Sequence, residues 1–294
     1  MSRPAIVLNP SLPTRRRQTS ALATGAPLSV GDDYAQLEAI SIGRSPVHLV
    51  DERATRLVIA RALHERDAPP LAVCSINLDH VHHFAHAHDD FGGTGSVRWL
   101  NLIDGAPIAT QARRMTGVSY PRLAGSDIIG GILTDLSTAG LAVAVVGGSA
   151  EVTASLRQRL ASDYPGVRFA GHWTPERSTL SSQAECVALC DELRATQADV
   201  ILVCLGKPRQ ERWIAEYGPQ TGAAALLAFG AVVDFLAGRV SRAPRWVSRV
   251  GVEWMWRLML EPRRLAKRYL VDGPPAYLAV RRSRLSPDSR SRAT

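Results

Sequence analysis

Lysine is nearly missing from this 294-residue chain: Lys207 and Lys267 are the two among 35 basic residues, and arginine supplies the rest. Positive charge is therefore carried by planar guanidinium groups, which suit bidentate contact with phosphate or carboxylate oxygens. Long apolar runs are missing too. Leu141–Val146 and Ala223–Phe229 are among the longest, far short of the roughly 20 residues that span a bilayer, so no transmembrane helix is expected. Arg15, Arg16 and Arg17 lead into a polar stretch with glycine and proline instead of an apolar segment. No secretory signal is expected, and the cytosol is the expected compartment. The four cysteines, Cys74, Cys186, Cys190 and Cys204, show no zinc spacing. Cys186 and Cys190 lie one helical turn apart, as on a core-facing stripe, and reduced thiols fit the cytosol. Neither a G-x-G-x-x-G nor a Walker loop is present.

What is present is enough apolar sequence for a core. Hydrophobic residues make up 46% and charged residues 21%, which excludes wholesale disorder. The length allows two domains or one large α/β domain. Net charge is +8, unevenly spread. From Arg239 to the end, 14 basic residues face four acidic ones, a net +10 that leaves the rest at −2. A near-neutral body with a basic end seeks an anionic partner: nucleic acid, lipid or phosphate.

Residues 1–33 are polar and aperiodic and read as a disordered leader; 283–294 read as a disordered tail. In between, apolar runs at Leu71–Ile76, Val97–Ile103, Leu141–Val146, Val167–Ala170, Val200–Leu205 and Ala223–Phe229 read as strands. They alternate with helical segments at Glu52–Glu65, His80–His88, Ile128–Thr138, Ala150–Asp163, Ser182–Thr196 and Gln210–Tyr217. Ile40–Leu49 reads as an edge hairpin. This alternation predicts an α/β fold: a Rossmann-like, mostly parallel sheet covered by helices on both faces, over residues 34–240. A basic helical appendage follows at 241–282. Ligands of such sheets sit outside the carboxyl ends of the strands, so the residues there are the candidates.

Asp104, in Asn101-Leu102-Ile103-Asp104-Gly105, ends the second strand and is placed to act as a base; a turn aspartate bonded to its own backbone would look the same. Gly147 and Gly148, before Ser149, could bring helix amides to a phosphate or could simply supply a tight βα turn. Gly206-Lys207-Pro208-Arg209-Gln210-Glu211 is unusually polar for a strand-to-helix turn and reads as a ligand loop over a solvated cap. Ser75 and Asn77 close the first strand. His80, His82, His83, His86 and His88 include one i, i+4 pair, His82 and His86, but no partner completes a metal site, and a partly exposed helix face fits better. No D-x-D follows a strand, and Asp32-Asp33 and Asp89-Asp90 lie in polar loops, so no metal and no cofactor is expected. Past Arg242, Trp246, Trp254 and Trp256 alternate with arginines. Interfacial membrane segments have this composition, single-stranded nucleic acid accepts it, and a capping helix pair with core tryptophans would share it.

Six ordered motifs carry a resemblance: N-L-I-D-G at 101–105, Y-P-R-L-A-G-S-D at 120–127, V-V-G-G at 145–148, L-G-K-P-R-Q-E-R-W-I at 205–214, D-F-L-A-G-R-V-S-R-A-P-R-W at 234–246, and G-V-E-W-M-W-R-L-x-x-E-P-R-R-L-A-K-R-Y at 251–269. Over roughly residues 36–275 the chain resembles the WecG/TagA/CpsF family of bacterial glycosyltransferases. The resemblance implies inverting, metal-independent transfer of a sugar, commonly N-acetylmannosamine but also glucose-like, from a UDP-sugar to a polyprenyl-diphosphate-linked sugar. It places the enzyme peripherally on the inner membrane face, against anionic lipid, in cell-surface polysaccharide or teichoic-acid synthesis, and implies self-association into a homo-oligomer. It matches Asp104 to the family's base, Ser75 and Asn77 to a T-x-N strand end, Arg122 to an R-x-x-G-x-D arginine and Gln210 to a polar pocket residue. Glu211 and the two glycines Gly147 and Gly148 join the substrate-binding set, and Arg257, Arg264 and Arg268 fall on the arginine-rich appendage. Two departures stand out: Ser75 lacks the threonine methyl, and Lys207 replaces a smaller residue. The competing reading, a nucleic-acid-binding module using the basic tail, explains the charge but not Asn77, Asp104 and Gln210, and nucleic acid is not an expected partner. A nucleotide-dependent oxidoreductase would need the glycine fingerprint that is missing.

Overall fold

The computed structural model describes residues 37–43, 45–84, 95–239 and 267–285. Nine strands and nine α-helices lie among them. The strands are β1 Ala39–Ile42, β2 Ser45–His48, β3 Leu71–Ile76, β4 Arg98–Ile103, β5 Ala142–Gly147, β6 Arg168–Trp173, β7 Val200–Cys204, β8 Ala225–Ala228 and β9 Arg284–Leu285. The helices are α1 Glu52–His64, α2 Leu78–Phe84, α3 Ala106–Thr116, α4 Gly125–Thr138, α5 Thr153–Asp163, α6 Gln183–Ala195, α7 Arg209–Tyr217, α8 Val232–Leu236 and α9 Gly273–Arg281. A π-helical turn, Lys267–Asp272, leads into α9.

Six strands form one parallel sheet in the order β4-β3-β8-β7-β5-β6. This is the α/β, Rossmann-like sheet that the alternating pattern predicts. Its inner strands are buried on both faces, which is why they read as unbroken apolar runs instead of alternating ones. Successive residues still serve opposite layers. Ala72, Cys74 and Ile76 of β3 pack with Val81 and Phe84 of α2, Ile108 of α3, Cys186 and Cys190 of α6, Ile214 of α7 and Val280 of α9. Leu71 and Val73 pack with α1, α4, α5 and α8 through Ile59, Ile132, Leu156 and Val233. The cysteine stripe of α6 is therefore core, and all four thiols are free and buried.

Edge strand β4 is covered by the β1–β2 hairpin. His48 Nδ1 accepts the Asn101 N–H at 3.0 Å, and Asn101 Nδ2 donates to Pro46 O at 2.8 Å. A backbone N–H that the β4 edge would offer to another chain is thus satisfied within this one. At the opposite end of the strands, buried Asp199 accepts the Ala142 N–H at 2.7 Å and pairs with Arg66, while its carbonyl accepts from Ala224 N. One aspartate, through its carboxylate and its main-chain carbonyl, ties together the starts of β5, β7 and β8.

Helix α8, a short Val232–Leu236 segment, is not expected from the sequence, and three further elements differ from that expectation. Helix α3 follows Gly105 directly; Pro107 in its first turn, tolerated there because the early N–H groups need no intrahelical partner, hides it from a periodicity reading. Strand β6 continues to Trp173, three residues beyond the predicted Ala170. Arg284 and Leu285, assigned to the tail, instead pair with Ser41 and Ile40 of β1. Helix α9 is part of the same body: Ala276 and Val280 are buried against α2 and α3. The leader, the later histidines His86 and His88, and Arg257 and Arg264 lie outside the described residues.

Candidate active site

The sheet register brings the site together. Ile76 and Ile103 end β3 and β4 at the same level, so the next residues, Asn77 and Asp104, are neighbours. Asp104 N donates to Ile76 O at 2.9 Å, extending the ladder by one bond, and Asn77 Nδ2 donates to Asp104 Oδ2 at 2.9 Å. The chain then turns away through Gly105 at φ +105°, a conformation a side chain would strain. Asp104 is half-buried, so a reacting group can approach it.

Neighbouring loops lock this pair. Leu123 N donates to Ile103 O at 2.6 Å, and Ser75 Oγ donates to Leu123 O at 3.1 Å. These bonds pin the segment carrying Arg122 beside the ends of β3 and β4. From β7, Lys207 Nζ donates to Ser75 O at 2.6 Å and to Asn77 Oδ1 at 3.2 Å. Asn77 Oδ1 also accepts the His80 N–H at 3.3 Å in the first turn of α2.

Beneath lies a fully buried polar layer. Gln210 Nε2 donates to Glu211 Oε1 and to Ala228 O, each at 3.0 Å, while its Oε1 accepts from Gly206 N at 3.2 Å. The Cys74 thiol donates to Glu211 Oε1 at 3.5 Å. Burial alone would push the Glu211 carboxyl up, but His80, the Lys207 charge and the Gln210 amide together hold it below the ordinary carboxylate range. Burial pushes the His80 imidazole down to about 4, so it is neutral, and drives the Cys74 thiol well up. Cys74, His80 and Glu211 are, among the described residues, a group whose donor atoms lie within 4.8 Å and could meet a metal ion. The thiol–carboxylate hydrogen bond already joins two of the three, and the Lys207 charge acts on all three sites, opposing a cation.

On β5, a Cβ on Gly147 would come within 2.4 Å of Cys204 O, and one on Gly148 within 2.6 Å of Val233. Both glycines have positive φ, +101° and +84°. Close packing against β7 and α8 accounts for them. Gly147 lies four strand spacings from β4, roughly 19 Å. Helix α7 goes to one face of the sheet, and α5 and α8 to the other. The connections after β7 and β5 therefore diverge, and the strand ends between them, beside Gly147, are left open to a ligand.

A family model described as glycosyl transferase WecG/TagA/CpsF family matches residues 40–290. The chain belongs to this family. Two similar proteins are named N-acetylglucosaminyldiphosphoundecaprenol N-acetyl-beta-D-mannosaminyltransferase. The one from Bacillus subtilis (strain 168) is 26% identical over 166 residues, and the one from Bacillus spizizenii (strain ATCC 23059 / NRRL B-14472 / W23) is 29% identical over 163. Each alignment covers 55% of this chain and 61% of the relative, so the match spans about three fifths of their length.

In this family member the structure brings Ser75, Asn77, Asp104 and the Arg122 segment together, with Lys207 between them. It sets Gln210 and Glu211 under the site, both 0% exposed and bonded to protein. Their role in this conformation is to shape the loop, not to face solvent. Gly147 and Gly148 stand at the far end. Arg268 falls in the π-helical turn. Sequence reasoning passed over His80 and His172. The histidine run reads as one exposed face, but His80 is 0% exposed while the side chains of His82 and His83 are about one-third exposed. His172 contacts Gly147 O through Nε2 at 2.7 Å and Thr153 Oγ1 through Nδ1 at 2.8 Å, bracing the glycine turn. The signal for it is its place near the carboxyl end of β6, which the apolar run ending at Ala170 does not reach.

The two buried imidazoles set an acid limit. His48 and His80 are each pushed down to about 4 by burial, while in the unfolded chain they take up protons near 6.5. Between those values the unfolded state binds more protons, so stability falls as pH drops from 6.5 toward 4. The loss is on the order of 3 kcal/mol per histidine at most. Urea midpoints measured between pH 7 and 4.5 should decline accordingly, and a His48→Asn variant should show a flatter decline. A flat wild-type profile contradicts the burial of these neutral rings.

Proposed function

We propose that this protein is an inverting, metal-independent glycosyltransferase. It moves N-acetylmannosamine or a glucose-like sugar from a UDP-sugar to a polyprenyl-diphosphate-linked sugar, in cell-surface polysaccharide or teichoic-acid-type synthesis. The observation that carries the reading is Asp104: a half-buried carboxylate at a strand end, oriented by Asn77, in a chain of this family. The names of the two Bacillus relatives support the acceptor class.

In this mechanism Asp104 takes the proton from an acceptor-sugar hydroxyl as its oxygen attacks the donor C1. The C1–O bond to UDP breaks on the opposite side, so a single displacement inverts the centre. The departing diphosphate is stabilised by amides at the starts of α5 and α7, by Arg122, and by Arg257, Arg264 and Arg268 of the appendage. Arginine forks offer a diphosphate the paired donors that a cation would otherwise supply.

The carboxyl-terminal segment supports attachment to anionic lipid. Among the described residues no helix is long and apolar enough to cross a membrane. Leu270, Val271, Tyr277 and Leu278 are nevertheless exposed, on the π-helical turn and the outer side of α9, with Arg281 and Arg282 following. Aliphatic side chains rimmed by guanidinium groups suit a lipid interface better than a nucleic-acid strand. Enzyme at the inner membrane face, associating with further copies of itself, is the arrangement this reading implies.

Asp104→Asn keeps the shape but removes the base, and kcat should fall about 10²–10⁴-fold with donor KM little changed. A variant retaining more than about a third of the wild-type rate would mean that Asp104 is only a turn residue. In the same assay EDTA should leave turnover largely intact; a tenfold loss restored by Mg²⁺ or Mn²⁺ would sink the metal-free mechanism. For the membrane contact, Leu270→Asp with Leu278→Asp should release the protein from anionic vesicles while turnover of a short, water-soluble acceptor persists. Undiminished vesicle binding would place the contact elsewhere. Truncation is a poorer test, because α9 also contributes Ala276 and Val280 to the core.

A further inference from the structure

Lys207 reaches from the turn after β7 across to the end of β3. We propose that Lys207 is a positioning residue of the transfer site, holding the Asn77 amide with Nδ2 toward Asp104 through the bond from Nζ to Asn77 Oδ1 at 3.2 Å. The proposal rests on the reading of Asp104 as the base.

An asparagine amide has two unlike ends. With Nδ2 facing Asp104, a donor meets the carboxylate; rotated by half a turn, Oδ1 would face it, acceptor against acceptor. The His80 N–H helps choose the first orientation, but at 3.3 Å it is a long, neutral contact. Lys207 adds a charged donor to the same oxygen. Pulling electron density toward Oδ1 also makes the Nδ2–H a better donor, so the bond to Asp104 strengthens.

The ammonium is itself held in place. Ser75 O takes a second of its hydrogens at 2.6 Å. Its charge also favours the ionised form of fully buried Glu211. One cation thus serves a buried carboxylate on one side and, through Asn77, a reactive one on the other. A small residue at 207 has no atom that reaches Asn77. Lysine suits the place because a compact ammonium has three donors on one atom, whereas a guanidinium spreads its donors over a planar fork.

The test uses the full chain with Lys207→Ala, Asn77→Ala and the double variant, assayed with the UDP-sugar and lipid-linked acceptor that wild type accepts. Lys207→Ala should lower kcat about 10- to 100-fold, the size expected for losing a charge-assisted hydrogen bond, with donor KM within about threefold of wild type. The double variant should lose little beyond the worse single variant, because both changes break one chain of contacts. Propylammonium, which replaces the missing side chain, should restore kcat to Lys207→Ala; tetramethylammonium, with the same charge and no N–H, should not. A kcat within about twofold of wild type, or independent multiplying losses in the double variant, overturns the proposal. So does a loss that propylammonium fails to relieve and that follows a lowered thermal midpoint, since that marks a purely structural lysine. If Asp104→Asn keeps its rate, the base assignment fails by itself. The Lys207–Asn77 coupling then still decides whether Lys207 positions Asn77.

Discussion

All six strands of the central sheet point the same way. A parallel sheet must be covered on both faces, so its strands are apolar throughout and its helices divide into two layers. Chemistry-bearing residues have little place inside such a core. They collect where the strands end, and because every strand ends on the same edge, Ser75, Asn77, Asp104, Lys207 and Gly147 share it. Register then sets which of them touch: Ile76 and Ile103 finish level, so Asn77 and Asp104 meet at 2.9 Å, while Gly147 stands four strands away.

The price of that arrangement is a polar layer that must be buried just below the site. Glu211 and Gln210 are fully covered, and an unpaired carboxylate there would be strongly destabilising. Gln210 meets the need by bonding Glu211, Ala228 O and Gly206 N, and Lys207 supplies the opposing charge. The strand-to-helix turn after β7 is thereby braced from behind by its own hydrogen bonds. Ligand loops gain precision when supported in this way.

Helix α9 has two unlike sides. The inner side of α9 completes the core beside α2 and α3, and β9 adds a strand to the β1–β2 hairpin. The outer side carries exposed Tyr277 and Leu278. A basic tail read from charge alone looks like an accessory, yet this part of it is built into the body that carries the site.

The sequence by itself determined the fold class. Apolar runs separated by helical periods can bury themselves on both faces only as a covered parallel sheet, and five of the six core strands lie where those runs predict, to within a residue or two. It also determined which edge to inspect, and Asp104 and Asn77 followed from that rule. Helix α3 escaped because Pro107 masks a helix start, and the last turn of β6 escaped because an edge strand, half exposed, carries no unbroken apolar signal. Only the tertiary structure decided that Gln210 and Glu211 lie beneath the site, that His80 is core while His82 and His83 are not, and that Lys207 reaches Asn77. Those relations depend on strand order and register across residues more than a hundred positions apart, such as Ser75 and Lys207. No local periodicity encodes them, because they arise only when β3, β8 and β7 are laid side by side.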